Sequence, residues 1–143
     1  MGMEELIFLT LAEVIEIHKD QLERYGGHPG LRDYDLLCSA TAMPEASFCG
    51  NYLHIDIFEM ASAYVFHICK NHPFIDGNKR TGLACGLVFL ELNGIAIIDD
   101  AGKLYQSVIS IASGELDKAG MSKILRWMAL SANNGADICA LFS

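Results

Sequence analysis

Two apolar runs separated by one polar segment constrain this chain more than any other feature. From Ile55 to Lys70 the residues are apolar on most sides (Ile57, Phe58, Met60, Ala61, Ala63, Val65, Phe66, Ile68), the pattern of a helix buried at the centre of a domain. From Leu83 to Leu92 a second apolar run ends at Asn93-Gly94, a good helix stop. Between them lies His72-Pro73-Phe74-Ile75-Asp76-Gly77-Asn78-Lys79-Arg80, nine residues that hold a proton acceptor, a carboxylate, two cations and a turn glycine. A chain built this way folds as helices packed on one another, with a sharp polar turn between its two most buried elements.

The remaining segments extend the helical reading. Thr10-Leu11-Ala12-Glu13 fits a capping box, and Leu11, Val14, Ile15, Ile17 and Leu22 continue it as an apolar face. Gly26-Gly27-His28-Pro29-Gly30 breaks that helix. Asp33 is placed to cap a second helix carrying Leu36, Leu37 and Ala40 and ending before Pro44. From Glu45 to Leu53 there is no helical period, and Phe48, Cys49, Gly50, Asn51 and Tyr52 suit a short exposed hairpin with Gly50-Asn51 at or near its turn. Ile95 to Ile98 reads as an extended bridge, Asp99 and Asp100 as caps for a helix over Leu104 to Ala112, and Ser122 to Ser131 as a last amphipathic helix. Phe66, Trp127 and Met128 are expected at core positions of their helices. With 143 residues, 52% of them apolar, the chain can bury a real core. The fold class is therefore all-α: a compact helical bundle over residues 1–132 with a small β-hairpin flap, followed by a tail, 133–143, that carries no clear signal.

Charge narrows the partners. A net charge of −8 offers no global positive field for nucleic-acid phosphates, so DNA binding is not expected, although Lys79 and Arg80 form a local cationic patch. The five cysteines are odd in number and include no CxxC pair, which suggests neither a disulfide framework nor a zinc site; Cys69 and Cys85 read as buried hydrophobes. No signal peptide and no membrane span is visible, and the cytoplasm is the expected compartment.

The polar segment has the parts of a nucleotide-phosphate site. Gly77 permits close backbone approach, and the free N–H groups at the start of the following helix form an anion site. Arg80 adds a planar charged fork and Lys79 a mobile point charge, while Asn78 can donate without adding charge. Asp76 beside a polyphosphate is the natural ligand for Mg2+. His72 carries an imidazole, the side chain suited to taking a proton from an attacking hydroxyl. Phe74 and Ile75 are expected to face inward and anchor the loop. Singly each residue is ordinary; it is their coincidence at a helix entry that points to chemistry. His18, His28, His54 and His67 show no metal-ligand spacing.

The nine residues resemble the active-site motif of the Fic/Doc family of protein-modifying transferases, in particular its death-on-curing branch. The likeness extends through Gly30-Leu31-Arg32-Asp33, Pro44-Glu45-Ala46, Tyr52-Leu53, Phe58-Glu59 and Phe89 to Gly94, covering roughly Phe8 to Trp127. It implies that His72 is the base, that Asp76 binds Mg2+, and that Phe74, Gly77, Asn78, Lys79 and Arg80 bind the nucleotide, taken to be ATP. It also implies that Phe48 to Tyr52 form a flap that docks an extended target segment. Lys79, where adenylylating members carry Gly, and Leu83, where they carry a second Arg, resemble the branch whose toxin phosphorylates a threonine of elongation factor Tu. Gly77 resembles the adenylylators instead, so AMP transfer is the alternative. No [ST]xxxE[GN] inhibitory pattern is found, and the family suggests a small antitoxin as the restraining partner. A binding module without turnover is the third possibility, and the intact His72, Asp76 and Arg80 speak against it.

Overall fold

The computed structural model describes residues 6–99 and 102–132. Six α-helices and one two-stranded sheet are formed among them: α1 Leu11–Tyr25, α2 Tyr34–Ala42, β1 Ser47–Phe48, β2 Asn51–Tyr52, α3 Ile57–Asn71, α4 Asn78–Leu92, α5 Lys103–Ala112 and α6 Lys118–Ala132. A 3-10 turn, Met43–Glu45, follows α2 and contains the Pro44 that stops it. None of the described helices is long and apolar enough to cross a membrane.

The most apolar run is the centre. Met60, Ala61, Ala63, Tyr64, Val65 and Ile68 of α3 are fully buried, and α2, α4, α5 and α6 all pack against this helix. α4 comes closest. Val65 Oof α3 lies only 2.9 Å from where a Cβ on Gly82 would stand, and Ala61 O lies 3.0 Å from one on Gly86. The two glycines give up helix propensity so that the backbones can touch. α1 lies against α4 and α2, and Leu9 N donates a buried 2.8 Å hydrogen bond to Tyr64 Oη.

The caps follow the sequence. Thr10 and Glu13 form both halves of the capping box, Gly26 ends α1, and Asp33 Oδ1 accepts from Leu36 N. Asp56 caps α3 through Phe58 N and Glu59 N. Asp99 accepts from Lys103 N and Leu104 N at the start of α5, while Asp100 and the tail 133–143 lie outside the described residues. Cys69 and Cys85 are buried, and burial pushes both thiols up.

Two expectations, both on α6, need correction, while the hairpin stands as expected: it turns at Cys49-Gly50, at or near Gly50-Asn51, because Phe48 pairs with Asn51. Both turn residues take left-handed φ, 52° and 81°, as a two-residue hairpin loop with right-handed twist demands. α6 starts at Lys118, ahead of Ser122, where Asp117 Oδ1 accepts from Gly120 N. Trp127 is 68% exposed, because the buried face of α6 is Met121, Leu125 and Ala129; a residue two places from Leu125 points nearly the opposite way.

α6 is tied to α3 by a polar cluster. Lys118 Nζ lies 3.0 Å from His54 Nε2 and 3.0 Å from His67 Nε2, while Ser62 Oγ donates to Lys118 O. Burial, then Lys118 and His54, push His67 down to about 4. His54 is lowered by burial and Lys118 in the same way.

Two tests follow from this packing. Gly82→Ala should destabilise by about 1–2 kcal/mol in urea unfolding, since overpacking against an immovable carbonyl exceeds the propensity gained. Between about 6.5 and about 4 the unfolded chain binds the His67 proton and the folded chain does not. Stability should therefore fall as pH drops through that window, seen as a lower urea midpoint at pH 5 than at pH 7, and His67→Gln should flatten the dependence.

Candidate active site

The loop between α3 and α4 is fastened from two sides. On the outside, Arg32 N and Asp33 N both donate to Pro73 O, at 2.7 and 3.0 Å, and Ile75 N donates to Gly30 O at 3.0 Å. Leu31 and Phe74 thereby form an isolated antiparallel bridge. On the inside, the Asn78 side chain accepts from Phe74 N and donates to Phe74 O, each at 2.9 Å. The Phe74 ring stacks on buried His18 with centroids 3.7 Å apart and planes within 5°. His18 Nε2 donates to Asp76 O at 2.9 Å, which sets its tautomer, since a carbonyl only accepts.

His72 ends α3 in the left-handed conformation, φ 53° and ψ 53°, with its side chain exposed. Pro73 keeps it from continuing the helix. The Arg32 guanidinium donates to the carbonyls of His72 and Asn71, which caps the last turn of α3 with a cation. The position of His72 is thus set through its backbone, and no hydrogen bond among the described residues engages its imidazole.

Asp76 Oδ2 accepts from His28 N at 3.0 Å and Oδ1 from Gly77 N at 2.9 Å. These N–H groups, His28 first, hold its carboxyl below the usual carboxylate range. Gly77 caps α4 at φ 79°, a left-handed value, and a Cβ there would stand 3.1 Å from Leu22 Cδ2. No side chain caps α4, so the first amides, at Asn78, Lys79 and Arg80, are available to an anion.

A cleft of about 140 Å³ opens over this helix start, lined by Tyr25, Gly26, Asp76, Gly77, Asn78, Lys79, Arg80 and Tyr105. Arg80 Cζ lies 3.8 Å from the Tyr25 ring centroid and 4.1 Å from that of Tyr105. His72 is not part of this lining, and neither is the flap. A larger hollow of about 440 Å³ beside Phe8, Thr10, Cys38 and Thr41 contains none of the motif residues. The charged groups gather at the smaller cleft.

The residues picked from the sequence therefore divide. Asp76, Gly77, Lys79 and Arg80 share the cleft, and Asn78 offers it a backbone amide while its side chain holds the loop. Phe74 is buried and shapes the loop from below, as the inward reading requires. Ile75 does not face inward: it is 52% exposed and lies over Gly30, whose Cβ would be 2.6 Å from Ile75 Cδ1. In the hairpin, Phe48, Cys49, Gly50 and Asn51 are exposed, and Tyr52 rests on Phe8 with ring centroids 5.8 Å apart. His18, the His28 amide, Arg32, Tyr25 and Tyr105 were not singled out by sequence reasoning. Of these only Arg32 carried a signal, inside the Gly30 to Asp33 segment.

Asn78→Ala should lower stability by about 2–4 kcal/mol, because two buried backbone groups of Phe74 lose their partners. Urea unfolding measures the loss, and a change under 0.5 kcal/mol would mean that the clamp contributes little.

The sequence model of the Fic/DOC family matches residues 8–90. Among characterised proteins, the chain is 31% identical to the "Protein kinase doc" of Escherichia phage P1 over 120 residues, 84% of this chain and 94% of that one. It is 30% identical to the "Toxin Doc" of Mycolicibacterium smegmatis (strain ATCC 700084 / mc(2)155) over 113 residues, 78% of this chain and 87% of that one. With the motif at the junction of two packed helices and similarity along most of its length, the chain belongs to the Fic/Doc family.

Proposed function

We propose that this chain is a toxin of the Doc type that transfers the γ-phosphoryl group of ATP to a hydroxyl of a target protein. The observation that carries the reading is the uncapped start of α4 beside a carboxylate and two cations, with an uncommitted imidazole at the other end of the same short loop. The name of the phage P1 relative, a protein kinase, supports phosphoryl transfer.

In this reading the amides of Asn78, Lys79 and Arg80 receive phosphate oxygens along the α4 dipole, and the two side chains add charge. At about 140 Å³ the cleft suits a phosphate chain rather than a whole nucleotide, which leaves the nucleoside outside it. Asp76 fits Mg2+: it is an anionic carboxylate whose backbone bonds leave lone pairs free. Bound there, Mg2+ would neutralise phosphate charge. His72 takes the proton of the attacking hydroxyl, while the open edges of β1 and β2 hold the target backbone.

AMP transfer is the second reading, and Gly77 was its support. The left-handed φ and the Leu22 contact account for that glycine through loop geometry alone, which favours phosphoryl transfer. The proposed target is a threonine of elongation factor Tu in the cytoplasm, and the proposed restraint is a cognate antitoxin, as the toxin name of the mycobacterial relative suggests.

The test incubates purified protein with Mg2+, a bacterial lysate and ATP labelled at the γ- or the α-phosphate. The expected result is a protein band labelled from the γ-phosphate only, weakened roughly 100- to 10,000-fold by His72→Ala. Label from the α-phosphate alone would establish AMP transfer, and unchanged labelling by His72→Ala would remove the base assignment.

A further inference from the structure

Arg80 leaves the first turn of α4 on a long, flexible side chain. The ion pairs Arg24–Asp20 and Arg126–Asp56, formed among the described residues, do not include it. Aromatic rings hold it instead: Arg80 Cζ is 3.8 Å from the centroid of Tyr25, the last residue of α1, and 4.1 Å from that of Tyr105, in the first turn of α5. Three helices meet at one guanidinium, at the wall of the cleft.

The choice of holder matters chemically. A carboxylate would occupy the N–H groups of the fork and cancel its charge. A ring attracts the cation through its quadrupole, covers a poorly hydrated face, and leaves the in-plane N–H donors and the full charge to an incoming anion. Two rings on one cation cannot share a side, so the plane of the fork is restricted before any ligand arrives. The loss of side-chain freedom that anion binding would otherwise require is then already met in the free protein.

We propose that Tyr25 and Tyr105 are positioning residues that hold Arg80 ready for a polyphosphate, by their ring faces and not by their hydroxyls. The proposal rests on the phosphate-site reading above. It makes α1 and α5 part of the nucleotide site through Arg80.

The test titrates the full chain calorimetrically with inorganic tripolyphosphate and with ATP, both in the presence of Mg2+. Tyr105→Leu and Tyr25→Leu should each weaken binding roughly tenfold, and the Phe variants should stay within about twofold of wild type. In an Arg80→Ala background the Leu substitutions should have no further effect, an outcome that a merely structural role would not give. A second readout needs no variant: in the nitrogen-correlated NMR spectrum of the wild-type protein, the Arg80 Nε–H resonance should be shifted upfield by ring currents. An unshifted Arg80 resonance, or Leu variants that bind as tightly as a wild type that does bind, would overturn the clamp and leave the phosphate site standing. Leu effects that add fully to Arg80→Ala would overturn it too. A wild type that binds neither tripolyphosphate nor ATP would overturn the phosphate site and the clamp together.

Discussion

The contact on which the rest depends is the one between the backbones of α3 and α4. Gly82 and Gly86 have no side chain to keep the helices apart, so α4 lies directly on the carbonyls of Val65 and Ala61. Residues 72–77 join the C-terminus of the first helix to the N-terminus of the second. A loop this short has little freedom once its ends are set, because each residue spans at most about 3.6 Å. A wider spacing would stretch it, and the left-handed turns at His72 and Gly77 would have to open. The packing of the core thus determines the geometry of a surface loop.

The loop is then secured almost wholly through backbone groups. Gly30, Arg32 and Asp33 engage it from outside, His18 and Asn78 from inside, and the His28 amide holds Asp76. Left-handed backbone at His72 costs on the order of 1–2 kcal/mol. Several hydrogen bonds, each contributing about 0.5–1.5 kcal/mol net, outweigh it. The side chains of His72 and Lys79 take no part in these bonds. The Asn78 amide, which looks in the sequence like a ligand for phosphate, is the residue most fully consumed by structure.

Legibility followed the range of the interactions. Elements made by local signals were readable: the Thr10–Glu13 box, the Asp33 cap, the stop at Pro44 and the buried α3 all stand where the residues put them. The hairpin near Gly50-Asn51 was readable too, and cross-strand pairing, not the preference of that dipeptide, decides that the two-residue loop falls on Cys49-Gly50. Trp127 was misplaced because an apolar residue on an amphipathic helix was assumed to face in; the neighbours that fill the core were already Met121 and Leu125. The motif was plain as chemistry, but its supports were not. His18 is 58 residues from Asp76 and His28 is 48, and no spacing rule links a histidine in α1 to a turn beyond α3. Tyr25 and Tyr105 carried no sequence signal at all, since their role exists only where three helices converge.

The separation of His72 from the cleft bears on which phosphate is attacked. In the proposed reading the base, His72, stands at the end of α3 and the anion site at the start of α4, so the phosphorus that reacts is the one at whichever end of the phosphate chain emerges toward His72. If the nucleoside lies away from the base, the γ-phosphate is presented; if it lies on the side of the base, the α-phosphate is. The anion site itself is indifferent to this choice, because helix amides and a guanidinium fork bind any phosphate oxygen equally. Under that proposal, reaction type is set by what receives the nucleoside, outside the motif. On that reading, a motif shared at nearly every position can serve two chemistries.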